Sequence, residues 1–161
     1  MNASDDRFPA LIRNLDLLKE IETAAGRLYA GFAAAFPEDA PLWDVLRAEE
    51  EGHARRVDEL KRLVEADRQA FHPDKFNPAA LNTFLAGLRE SLRKLEKGEI
   101  WRRQALAVAQ DLENTLSERA FYRVVQSELP EFNKLVEDID RETRAHQQRL
   151  LEFIRLHFPA S

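Results

Sequence analysis

A chain of 161 residues with 24 lysines and arginines against 29 aspartates and glutamates has the size of one domain and a net charge of −5. That balance argues against nucleic-acid and membrane partners, both of which recruit basic surfaces. The absence of cysteine excludes disulfides, thiolate zinc, iron–sulfur centres and a cysteine nucleophile, so a bound metal must draw on carboxylate and imidazole ligands. The N-terminus has neither the basic region nor the apolar run of a secretion signal, and a cytoplasmic location is the expectation.

From about Pro9 to Phe36 the residues Leu11, Leu15, Leu18, Ile21, Ala25, Leu28 and Phe32 recur every three or four positions, which predicts one helix with one buried stripe. Asp39-Ala40-Pro41 reads as a cap with proline in the first turn of a second helix. Leu42, Val45, Leu46, Ala54, Val57, Leu60 and Val64 carry that helix to about Ala70. The short link makes an antiparallel hairpin over 9–70. A turn-rich stretch from Phe71 leads to Asn77-Pro78, a cap and first-turn pair for a helix to about Lys97, with Gly98 as punctuation. The second hairpin, 99–158, begins with a helix from Ile100 to about Gln126 through Leu106, Ala109, Leu112, Leu116 and Ala120. After a break at Pro130, its second helix runs from Phe132 to about Phe158 through Leu135, Ile139, Leu150 and Ile154. No segment carries a strand signal. A crossover over 71–98 that holds an extra helix can span a bundle, so the expected fold is all-α, a single ferritin-like four-helix bundle over 1–161.

The two hairpins read as duplicates. At an offset of 93 positions, without a gap, His53 falls on His146, Tyr29 on Tyr122, Glu20 on Glu113, Glu49 on Glu142, Arg56 on Arg149 and Pro37-Glu38 on Pro130-Glu131. Two pairs break the match, Glu22 on Thr115 and Glu50 on Thr143.

Glu50 and His53, three residues apart, share one helix face within reach of one ion. Bundles that hold two carboxylate-bridged metals take a Glu from each of two helices and a Glu-x-x-His from each of the other two. Glu22 on the first helix and Glu50 with His53 on the second supply half of that set. Tyr29, seven after Glu22, lies on the same face and can donate a hydrogen bond near a metal. Glu20, Glu113, Glu49, Glu51 and Glu142 sit beside these positions and read as surface acids.

Glu22 with Tyr29, the Glu50-Glu51-Gly52-His53 motif, Tyr122 and His146 make the chain resemble the rubrerythrin branch of the ferritin-like superfamily over nearly its whole length. The resemblance implies a two-iron centre that oxidises ferrous ion, or reduces peroxide with electrons from an external donor. The family's iron–sulfur domain has no counterpart in a chain without cysteine. The resemblance also places Thr115 and Thr143 where the third and fourth ligand carboxylates stand, and Glu118 where some members carry a further one. Two divalent cations are poorly balanced by Glu22, Glu50 and Glu118, so one ion fits better than two. Glu22, Glu50, His53 and His146 make a neutral set for iron, zinc or manganese, with Tyr29, Tyr122, Thr115 and Thr143 around it. The competing expectation is a bundle that has lost its metal and serves as an interaction or assembly module. Either could form a homodimer through an exposed helix face.

Overall fold

The apolar stripe of the first segment winds into α1 (Arg7–Ala35), and every one of its seven predicted positions is buried. The chain is described by a computed structural model over residues 7–73, 78–119 and 125–159. Four further helices follow, α2 (Ala40–Ala66), α3 (Pro78–Glu96), α4 (Arg102–Arg119) and α5 (Pro130–His157), with single 3-10 turns at Pro37–Asp39 and Arg68–Ala70. Among the described residues the architecture is an all-α bundle, and no helix is long and apolar enough to cross a membrane.

α1 packs against α2 and α3, α4 packs against α5, and α2 meets α5. In α2 the stripe is buried at Leu42, Leu46, Val57, Leu60 and Val64, whereas Val45 is turned to solvent. Each fully buried leucine, isoleucine or phenylalanine of these stripes contributes about 1.5–3 kcal/mol. Lys19 with Asp58 and Lys61 with Asp16, at 2.7 Å each, cross from α1 to α2 at the surface. Such exposed pairs fix register more than they stabilise.

Two local features differ from the sequence reading. Val125–Ser127 (β2) does not continue a helix but pairs antiparallel with Phe71–Pro73 (β1), Phe71 opposite Ser127 and Pro73 opposite Val125. A three-residue ladder carries no alternation to read, and its support is non-local. Ser127 Oγ donates to the Ala70 carbonyl at 3.1 Å, and the Phe71 ring meets Phe132 edge-on at 4.9 Å. Asp39 makes no side-chain cap; it is buried, and its carboxylate accepts two 2.7 Å bonds from Arg102, tying the first hairpin's tip to the start of α4. Gly98 does end α3, with φ +69 and the Gly98 N to Leu95 O and Glu99 N to Lys94 O bonds of a Schellman turn. Asn77, the expected cap of α3, lies outside the described residues.

Candidate metal centre

The inner faces of α1, α2, α4 and α5 carry a band of buried ionisable groups, which is costly unless they neutralise one another or hold ions. Glu22, Glu50, His53, Glu113 and His146 are each no more than 1% exposed. They form two groups of three ligand atoms, Glu22 with Glu50 and His53, and Glu50 with Glu113 and His146, the atoms of each group lying within 4.8 Å of one another. Glu50 belongs to both. Its Oε2 lies 3.3 Å from His53 Nδ1 and its Oε1 lies 3.0 Å from His146 Nδ1. His53 Nδ1 also faces Glu22 at 3.7 Å, and His146 Nδ1 faces Glu113 at 3.3 Å. The two imidazoles stack with centroids 5.5 Å apart.

The residues fit a metal on an observation independent of any family. Both oxygens of Glu50, Oε2 of Glu113 and Nδ1 of both histidines are buried without an aligned hydrogen-bond partner. Buried polar atoms are ordinarily satisfied, and a cluster of inward-aimed acceptors with imidazole nitrogens is the donor set of a borderline transition ion.

Behind the imidazoles the hairpins exchange carboxylates. Glu142 of α5 lies 3.0 Å from His53 Nε2 and accepts two bonds from Arg56, at 2.6 and 3.0 Å. Glu49 of α2 lies 2.8 Å from His146 Nε2 as an ion pair, the N–H not being aligned on the oxygen, and accepts a 2.8 Å bond from Arg149. Tyr29, fully buried on α1, donates its hydroxyl to Glu113 Oε1 at 2.5 Å and stacks on Trp43 at 5.9 Å. Burial and the Glu113 charge push the Tyr29 hydroxyl well above its usual range, so it remains a donor.

The charges are strongly coupled. Burial beside Glu50 pushes the Glu22 carboxyl up to about 7. Burial and Glu113 press on Glu50 in the same direction, but the closeness of Glu22 and the two histidines outweighs them and holds it low. Burial disfavours both imidazolium ions, yet Glu22 and Glu50 push His53 up to about 11. Glu113, Glu49 and Glu50 likewise push His146 up to about 12. At the rim His146 holds Glu49 down to about 2. Burial raises Glu142, but Arg56 and His53 prevail and keep it low.

Glu22, Glu50, His53 and His146 are thus brought together. Thr143 is buried one turn before His146, its hydroxyl donating to the Ile139 carbonyl at 3.0 Å. Thr115 is not at the centre: its hydroxyl donates to the Asp111 carbonyl at 2.8 Å, and it lines a cleft of about 340 Å³ between α3 and α4. The side chain of Glu118 and the whole of Tyr122 lie outside the described residues. Three acids read as surface groups belong to the centre or its rim: Glu113 is fully buried, and Glu49 and Glu142 face the histidines. Glu20 and Glu51 are exposed.

Glu113 corresponds to Glu22 at an offset of 91 rather than 93. Each stands four after one buried stripe residue and three before another, Leu18 and Ala25 in α1, Ala109 and Leu116 in α4. Glu22 and His53 are 31 residues apart and Glu113 and His146 are 33 apart, a difference that an ungapped overlay hides. No protein-family model, curated protein or solved structure matches the chain.

Proposed function

We propose that the chain is a ferritin-like bundle of the rubrerythrin kind that holds two divalent transition ions and acts as an oxidoreductase on ferrous ion, dioxygen or peroxide, with an external electron donor. The observation that carries this reading is Glu50, whose two oxygens face the two histidines of two ligand groups. Glu113 supplies a third inner carboxylate, which raises the charge available to a second ion. Iron or manganese suits the mixed nitrogen and oxygen donors, zinc equally so without redox change. When bound, such ions supply redox or Lewis-acid chemistry. The chain's own residues do the rest: Glu22, Glu50 and Glu113 neutralise charge, His53 and His146 present Nδ1, and Tyr29 fixes Glu113.

Protein loaded with ferrous ion and dialysed is expected to retain close to two ions per chain and to consume peroxide with an external reductant. Retention of none would sink the proposal. The second reading, a metal-free bundle serving assembly, is favoured by one feature. With both imidazoles charged and Glu22 protonated, the five acids balance the two histidines with Arg56 and Arg149. It expects thermal stability indifferent to iron, zinc and manganese, and a flat peroxide assay.

Thr143→Glu completes a Glu-x-x-His on α5. It is expected to tighten the second ion by roughly ten-fold or more while lowering the thermal stability of metal-free protein, because it buries a further negative charge. Calorimetric titration and melting curves with and without zinc read both effects.

A further inference from the structure

We propose that the cleft between α3 and α4 binds a small amphiphilic amine, an apolar aryl or alkyl body carrying one ammonium group. The cleft is separate from the buried centre: Asp111, Leu112 and Thr115 line it from α4, whereas Glu113 of the same helix faces His146. α3 and α4 are consecutive and joined through Lys97–Trp101, yet α3 packs on α1 and α4 on α5. The gap between them measures about 340 Å³, inside the range of about 300–1,000 Å³ over which small-molecule pockets fall. Its walls are largely apolar, with Leu88 and Leu112 buried and Phe84 and Val108 half-buried.

A glycine and a carboxylate say what the gap is for. Glycine inside a helix destabilises it, and is kept where a neighbour leaves no room for a side chain. Gly31 of α1 is of that kind, since a Cβ there would strike Leu95 of α3. Gly87, in the middle of α3, is not: a Cβ there would meet nothing within 4 Å, and the position lines the cleft. Packing within the chain therefore does not call for glycine at 87, and its effect is to keep the cleft open. Asp111 is the one charged group lining that space, and its carboxylate has no ion-pair partner among the described residues. A lone carboxylate beside apolar walls attracts an ammonium group and repels a carboxylate or phosphate, and the net charge of −5 acts in the same sense at longer range. The hydroxyl oxygens of Thr83, Ser91 and Thr115, also in the lining, are acceptors for further N–H bonds.

The test titrates full-length protein calorimetrically with naphthylethylammonium, naphthylethanol and naphthylpropionate, and maps backbone amide shifts by NMR. The ammonium probe is expected to bind, to outrank the alcohol by roughly two- to five-fold and the carboxylate by more, and to shift the amides of Gly87, Ser91, Asp111 and Thr115. Asp111→Asn is expected to erase the preference for ammonium while leaving alcohol binding unchanged. Gly87→Leu, which fills the cleft with a better helix former, is expected to weaken every probe by roughly ten-fold or more without lowering the melting temperature. The shift map of the wild type decides the location even if that variant fails to fold. No binding of the ammonium probe at millimolar concentration, shifts confined to other helices, equal affinity for the alcohol, or undiminished binding by folded Gly87→Leu overturns the proposal. So does a dimer that Gly87→Leu dissociates with no amine bound, which gives the cleft to a second copy of the chain.

Discussion

Glu50→Gln is expected to strip the chain of both ions, whereas Glu22→Gln and Glu113→Gln each remove one. Glu50 alone lies in both ligand groups, while Glu22 and Glu113 belong to one each. The replaced amide keeps the shape of the side chain and loses the charge that each ion requires. The metal-free fold suffers as well. Glu50 is fully buried against two histidines whose imidazolium forms it favours, and removing one partner of such a buried set costs about 3–5 kcal/mol. Metal content after equilibrium dialysis, set beside a urea melt, separates lost ligation from lost folding. One ion retained by Glu50→Gln would show that the carboxylate is not shared.

The second large effect is on pH. An ion takes neutral imidazole and ionised carboxylate, so loading must displace protons. His53 and His146, raised to about 11 and about 12, are charged at neutral pH, and Glu22, raised to about 7, is about half protonated there. Loading both groups at pH 7 is therefore expected to release roughly two to three protons, and overall affinity to climb by roughly a hundred-fold per pH unit. Calorimetry in two buffers of different ionisation enthalpy counts the protons; a count of zero would contradict the charge arrangement.

Stability of the metal-free chain has the opposite slope. The raised histidines contribute fully below their ordinary value of 6.5, and lose that contribution as pH rises through about 11 and 12. The raised Glu22 acts in the same sense, contributing fully below 4.5 and losing it through about 7. Glu49, held low, contributes above 4.5 and loses its share as pH falls through about 2. Metal-free protein is thus expected to melt highest in mildly acidic solution and progressively lower toward alkaline pH, while metal-loaded protein gains as pH rises.

What could be read without coordinates follows from range. Stripes such as Leu11 to Phe32 are local, and the helix face shared by Glu50 and His53 is fixed by a three-residue spacing, so both are written in the chain. Glu113 is legible too, since it stands between Ala109 and Leu116 as Glu22 stands between Leu18 and Ala25, although an ungapped overlay pairs Glu22 with Thr115. Glu49 and Glu142 are another matter. On their own helices they are half-exposed acids beside a ligand position, and their partners lie 97 and 89 residues away. No periodicity encodes a contact whose two halves meet only when α2 docks on α5. The β1–β2 ladder escaped for the same reason.

The exchange of carboxylates between the hairpins has the form of a homodimer contact drawn inside one chain, residue i meeting j while j's counterpart meets i's. In a dimer of single hairpins every substitution strikes both halves of the centre at once. A tandem chain escapes that constraint, and this one keeps glutamate at position 50 and threonine at its counterpart, 143. Covalent joining permits the two ligand groups unlike surroundings, which a symmetric dimer of single hairpins does not.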